Sequence, residues 1–214
     1  MSMTTAAPFH LVLAREPQHK AILQKYIQEE YQREFNAVIP HFLPYILGLY
    51  RADGTLIGAC GLNPAISGAL YLEHYLDRPV EQVASSKLNK PVSRVGLVEI
   101  GNFACAESGN ARTMFAALCR LLFENQLEFV VFTGTHKLRN VFHHLHLVPV
   151  ELAAALPEHI GAEAQSWGSY YLSSPSVMVG DLSQGFRILS KSSILLSLFG
   201  PMPAIFPKPQ MAML

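Results

Sequence analysis

No stretch of about 18 consecutive apolar residues occurs in this sequence, so no segment is expected to cross a bilayer as a helix. The N-terminal residues MSMTTAAPFHLVLAREPQ lack a basic n-region and hold only a short apolar stretch, which is not the pattern of a secretory signal. The cytoplasm is the expected location. Cysteine is scarce: Cys60, Cys105 and Cys119 form no CxxC or other metal spacing, and an odd count is a poor disulfide framework. Charge excess is absent too. Sixteen basic residues balance sixteen acidic ones with no long basic run, which argues against a dedicated nucleic-acid binder. Acidic residues vanish altogether after Asp181.

What is present is apolar bulk. Half of the 214 residues are hydrophobic, enough for a substantial core. The composition shift divides the chain into an expected domain over residues 1–181 and an apolar C-terminal extension over 182–214. Strands are expected at 9–14, at 45–50 and 56–62 around an Asp53-Gly54 hairpin turn, at 94–104 and at 129–132. Further strand-like runs are 147–150, 167–172 and 177–179. Helices are expected at 16–35, where Ile22, Leu23, Tyr26, Ile27 and Tyr31 recur at helical spacing, at 111–125 and at 137–145, with loop and helix over 152–165. Residues 67–83 fit no single pattern. Hairpins first and βα units later describe a mixed α/β sheet.

The segment VGLVEIGNFACAESGNARTMF, residues 95–115, carries an acid, Glu99, in its most strand-like part. Ser108, Gly109, Asn110 and Ala111 follow at a strand-to-helix junction. The unpaired N–H groups of a helix start suit a pyrophosphate, and a glycine there can take a positive φ and admit a ligand to the backbone. An ordinary helix cap by Ser108 or Asn110 explains the same residues.

The succession of long strand, Gly turn, amphipathic helix, apolar strand and a short helix bearing Asn140 resembles the GNAT acyltransferase superfamily. More specifically, Tyr75-Leu76-Asp77-Arg78-Pro79-Val80-Glu81, then Val98-Glu99-Ile100-Gly101-Asn102-Phe103-Ala104, then Val131-Phe132-Thr133-Gly134-Thr135 with Leu138-Arg139-Asn140, and finally Trp167-Gly168-Ser169-Tyr170-Tyr171 resemble the bacterial thermostable hemolysin family over residues 9–180. The stretch around Glu99 is also similar to acyl-homoserine-lactone synthases, with Asn102 where those carry an Arg. These resemblances imply a GNAT-like fold whose splayed strand admits the pantetheine arm of coenzyme A. The usual turn, Arg/Gln-x-x-Gly-x-Gly/Ala, is here Ala106 to Ala111, with Ala106 at its first position and Glu107 beside it. The donor is therefore left open between coenzyme A or its acyl thioester and the phosphopantetheine of an acyl carrier protein.

On this reading Glu99 is the base that deprotonates an amine acceptor. The backbone N–H groups of Phe103, Ala104 and Cys105 are the oxyanion donors. Ser108 to Ala111 and Asn140 hold the donor, and Tyr170 or Tyr171 reprotonates the leaving thiolate. The alternatives are a strand acid paired with Arg94 or Arg139, and tyrosines that only pack. No metal is expected, because only His143 and His146 of the local histidines could share a helix face. Cys105 is a conceivable nucleophile but fits better as a buried apolar residue. The segment ILSKSSILLSLF, residues 188–199, fits a tail packed on its own domain or on a second subunit, or an amphipathic membrane-surface contact. Two functions follow: a bacterial acyltransferase moving an acyl group from a thioester to an amine, or a membrane-active, hemolysin-like protein without catalysis.

Overall fold

The computed structural model describes residues 7–191 and 194–206. In chain order the elements are β1 (Phe9–Leu13), α1 (Pro17–Phe35), β2 (Tyr45–Arg51), β3 (Leu56–Pro64), α2 (Val80–Leu88), β4 (Leu97–Cys105), α3 (Ser108–Glu124), β5 (Phe129–Gly134), α4 (His136–His144), β6 (Val150–Ala154), β7 (Ser176–Asp181), α5 (Leu182–Lys191) and α6 (Ile194–Ser197). The strands form one sheet in the order β1-β2-β3-β4-β5-β7-β6. All neighbours are antiparallel except β4 and β5. The mixed α/β sheet expected from the order of elements is the one observed.

Local chemistry explains most boundaries. Proline opens α1, where its missing N–H costs nothing, and Asn36 closes it in the left-handed conformation at φ 53°. Asp53 accepts the N–H of Thr55 (2.9 Å) and Gly54 takes φ +86°, which turns β2 into β3. Thr135 caps α4 by accepting from Leu138. The central strands are buried on both faces. Leu47, Leu49, Val98, Ile100, Phe132 and Met178 pack under α3, α4 and α5. On the other face, Ile46 and Ala59 pack under α1, and Leu97, Val131 and Val179 under α2.

Several expectations are corrected. Residues 94–96 form one 3-10 turn, so β4 starts at Leu97. The helix expected from 111 begins at Ser108, so the Gly turn is itself the first helical turn; Gly109 has no positive φ. The strand expected at 147–150 starts only at Val150. Residues 167–172 are not a strand but the end of one 3-10 segment (Pro157–Trp167) and the start of another (Tyr170–Ser173). Here tertiary contact overrides β-favouring aromatics. Ser169 N–H donates to the Phe35 carbonyl (2.8 Å) and Val38 N–H to the Ser166 carbonyl (2.7 Å), pinning the chain to the end of α1. Gly168, at φ +52°, lies so close that a Cβ would collide with the Phe35 oxygen. Residues 67–83 resolve into 3-10 turns at Ala65–Ser67 and Tyr71–Tyr75 and then α2.

The described part of the C-terminal extension packs on the domain. Leu182, Leu189, Phe199 and Ile205 are buried in the same cluster as α3. Arg120 donates to the carbonyls of Leu196 and Phe199 (3.0 and 3.2 Å), and Asn125 ties down Pro203 and Ile205. Residues 192–193 and 207–214 of the extension lie outside the described residues. Among the described residues no helix is long and apolar enough to cross a membrane.

Candidate active site

β4 and β5 pair side by side over only four residues each, Leu97 to Ile100 against Phe129 to Phe132. Beyond Ile100, β4 stays with β3 while β5 stays with β7, so the two part and leave a wedge. A bulge in β4 reinforces the divergence. Gly61 faces Gly101 and Ala59 faces Ala104, leaving Asn102 and Phe103 opposite Cys60 alone, and Asn102 takes φ 49°. The Asn102 side chain serves as a strut. It donates to the His41 carbonyl (3.0 Å) and accepts from Leu43 N–H (2.9 Å), holding the 41–43 segment over the wedge.

Glu99 lies at the closed end of this wedge, 3 % exposed. It pairs with neither Arg94 nor Arg139. Arg94 binds Glu73 and Glu81, and Arg139 binds Glu151. Instead the two Glu99 oxygens accept the backbone N–H groups of Tyr71 (3.0 Å) and Leu72 (2.9 Å) at the start of a 3-10 turn. Burial pushes its carboxyl up from the ordinary 4.5 to about 7, against the lowering effect of those two N–H groups. An acid at that value exchanges a proton near neutral pH, as a general base must.

Three cavities with shared walls border the wedge. The first, about 740 Å³ with the solvent at its mouth, is lined by Glu99, Tyr31, His41, Tyr71, Trp167 and Tyr170 among others. The second, apolar, runs between the sheet and α3 and α5 and shares the lining residues Ile100, Phe115 and Phe132 with the first. The third opens beside the start of α3 and joins the first at Tyr31, Phe103, Thr133, Leu138 and Tyr170. Phe103, Ala104, Cys105 and Ala111 line this third cavity. Ser108, Gly109 and Asn110 form the helix start next to it, and a Cβ on Gly109 would meet open space. Asn140 is exposed on α4 and lines none of the three cavities; Lys137, Leu138 and Val141 present α4 to the third one.

Tyr170 is buried, stacks on Tyr31 (centroids 6.4 Å apart, 25° between planes) and lines both the first and third cavities. Its phenol has no hydrogen-bond partner among the described residues, and burial holds its pKa well above 10. It therefore stays a proton donor. Tyr171 instead hydrogen-bonds Tyr75 (2.6 Å). The third cavity is acidic. Glu30, Glu34 and Glu107 line it, and its Lys137 is engaged by Glu34 at 2.8 Å. Arg33 of α1 reaches the Ala106 carbonyl (3.4 Å), which places a guanidinium beside the turn whose first residue is alanine. Burial pushes the Cys105 thiol up to about 12, which makes it inert as a nucleophile. Among the described residues no three His, Cys, Asp or Glu side chains gather into a metal site.

The reading of the sequence missed Tyr31, His41, Tyr71, Glu163 and Trp167. Tyr71 donates its phenol to Glu163 (2.5 Å), and His41 Nε2 meets the other Glu163 oxygen at 2.8 Å. The nearest signals were the helical spacing of Tyr31 and the quoted motif that holds Trp167; nothing local marks His41, Tyr71 or Glu163.

This sheet, with its parted β4 and β5, is the acyltransferase fold of the acyl-homoserine lactone synthases. The chain is similar to the coenzyme A-dependent acyl-homoserine lactone synthase BjaI, solved with SAM and isopentyl-CoA, at 13% identity and a TM-score of 0.59, over 93% of this chain and 96% of that one. It is similar to TofI, solved with an inhibitor and MTA, at 14% identity and a TM-score of 0.58, over 85% and 96%. FeeM, an N-acyl amino acid synthase from uncultured soil microbes, matches at 14% identity and a TM-score of 0.56, over 85% and 94%. Within this fold the chain belongs to the thermostable hemolysin family, whose model matches residues 13–186. No curated protein sequence matches it.

Proposed function

We propose that the protein is an acyltransferase that moves an acyl group from a thioester to an amine. The observation that carries this reading is the wedge itself. A buried carboxylate titrating near neutrality and the phenol of Tyr170, on the walls of the first and third cavities, flank the gap where β4 and β5 part. The donor, acyl coenzyme A or the acylated phosphopantetheine of a carrier protein, enters by the third cavity, and its acyl chain lies in the apolar second one. Glu99 takes a proton from the acceptor ammonium, directly or through water. The amine then attacks the thioester carbon, and the N–H groups of the bulged strand near Phe103 face the oxyanion. As the C–S bond breaks, Tyr170 protonates the departing thiolate. Glu99 and Tyr170 are thus the proposed catalytic residues, and Phe103, Ala104, Cys105, Ser108, Gly109, Asn110 and Ala111 the donor-binding ones. On this reading the reaction belongs to the domain of residues 1–181, with the extension bracing α3.

Thiol release from acyl coenzymes A of increasing chain length, and from acyl carrier protein, with a panel of amines tests the reading. Amine-dependent release that falls about 100-fold or more in Glu99→Gln, with donor affinity nearly unchanged, supports it. No donor binding and no release with any thioester would overturn it.

Membership in a family described as hemolysins favours a second reading, direct action on membranes. Leakage of liposomes by the protein alone would support it. Leakage that appears only after incubation with acyl donor and amine, and survives heat-precipitation of the protein, would assign lysis to an acylated product instead.

A further inference from the structure

The first cavity has an unusual charge balance. None of its described lining residues is Lys or Arg, Glu99 lines it, and a second carboxylate, Glu163, stands behind two of its lining residues, Tyr71 and His41. The two carboxylates sit at the two ends of one side chain. Glu99 holds the backbone N–H of Tyr71, and Glu163 holds its phenol. The two differ in character. Glu99 is buried and titrates near neutrality. Glu163 is at the rim; partial burial pushes its carboxyl up, but the hydrogen bonds from Tyr71 and His41 outweigh this and keep it below its ordinary value. It stays ionised at neutral pH. Among the described residues its one basic contact is the exposed His41, at 2.8 Å.

The surroundings of Glu163 suit a cation. The rings of His41, Tyr71 and Trp167 stand 5.9 and 6.1 Å apart around it. Aromatic faces beside a carboxylate attract ammonium groups. The chamber is also not merely a packing gap. Trp167 is 8 % exposed, and its indole N–H faces the Glu163–Tyr71 corner without reaching hydrogen-bond geometry with any described residue. A buried donor left so calls for a bound molecule or water.

We infer that the acceptor is a dibasic amine without an acid group, its nucleophilic amine at Glu99 and its second ammonium at Glu163, spaced by the length of Tyr71. This rests on the acyl-transfer reading. A carboxylate on the acceptor would find no Lys or Arg lining the cavity, with Glu99 inside it and Glu163 beside it to repel the charge. The reaction balances without a further reagent. The acceptor nitrogen loses two protons: the first goes to Glu99 before attack and on to solvent, and the second leaves as the amide forms and restores the proton that Tyr170 gives the thiolate. The C–N bond forms, the C–S bond breaks, and the second ammonium is untouched. The product joins an acyl chain to a cation and is a cationic amphiphile.

The test uses the full chain with a medium-chain acyl coenzyme A. α,ω-Diamines of four to eight carbons, the monoamines of equal carbon number, and ornithine and lysine are compared by thiol release. The expected result is a KM at least about tenfold lower for the best diamine than for its monoamine, with ornithine and lysine poorer than the diamines. In Glu163→Gln, which keeps an oxygen for Tyr71, that ratio should collapse through the diamine KM while kcat stays within a few-fold. Equal KM values for diamine and monoamine in the wild type, a preference for ornithine or lysine, or a ratio that survives Glu163→Gln would each overturn the inference. Calorimetry of 1,5-diaminopentane against 1-aminopentane, without donor, separates the two levels. Selective diamine binding lost in Glu163→Gln, with no thiol released from any donor, would sink acyl transfer and keep the cation site. Thiol release without diamine preference would do the reverse.

Discussion

Glu99 links the fold to the proposed chemistry, and Glu99→Gln tests both. In the folded protein its carboxyl titrates at about 7 instead of 4.5 because it is buried. An acid whose folded value is raised binds more protons in the native state than in the unfolded one between those two values, so stability falls as pH rises. Below pH 4.5 both states are protonated and nothing is lost. From 4.5 to 7 the loss grows, and above 7 it is constant. A shift of two to three units corresponds to about 3 kcal/mol. Glutamine removes the ionisation but accepts through one oxygen only. One of the N–H groups of Tyr71 and Leu72 then loses its partner, at a pH-independent cost of about 1–3 kcal/mol. The variant should thus be the less stable protein at pH 4.5, and the gap should narrow or reverse by pH 8. Urea unfolding at several pH values measures this directly. Wild-type turnover should rise with pH to a plateau with a midpoint near 7, and the variant should lack that midpoint. Parallel stability curves for the two proteins from pH 4.5 to 8 would refute the raised carboxyl and with it the case for Glu99 as base.

Three other outcomes are expected. Tyr170→Phe should change stability by less than about 1 kcal/mol, because the phenol has no partner among the described residues, yet lower turnover about 10- to 100-fold; equal activity in the variant would leave the tyrosine as packing only. Asn102→Ala loses two hydrogen bonds to the 41–43 segment and puts alanine at a positive φ, so it should cost about 2–4 kcal/mol in chemical denaturation, and a cost near zero would contradict the strut. Glu107→Lys lightens the acidic third cavity and should tighten acyl coenzyme A binding several-fold at low ionic strength, with the gain fading in high salt; unchanged affinity would place the coenzyme's phosphates elsewhere.

Much of the fold was legible because its causes are local. The hairpin at Asp53-Gly54, the stop of α1 before Asn36 and the apolar face of α3 follow from residues within a turn of one another. The failures share a different cause. Residues 167–172 carry the aromatics of a strand, but Gly168 lets them press against the end of α1, and contact across more than 130 positions decided their conformation. A glycine at 109 is free to take a positive φ, yet nothing in its surroundings bends it out of the helix it begins.

The candidate site divides the same way. The acid in β4, the helix start after it and the tyrosine pair were identifiable from the chain alone, since residue type and strand–helix periodicity are properties of short segments. Only the tertiary structure decided that β4 and β5 part after Ile100, that Glu99 answers to the N–H groups of Tyr71 and Leu72 in place of an arginine, and that His41, Tyr71 and Trp167 line one cavity with Glu163 bonded to the first two. Those facts depend on pairings between segments far apart in sequence, whose geometry is set by the register of the sheet and the packing of its two faces, and no local pattern encodes them.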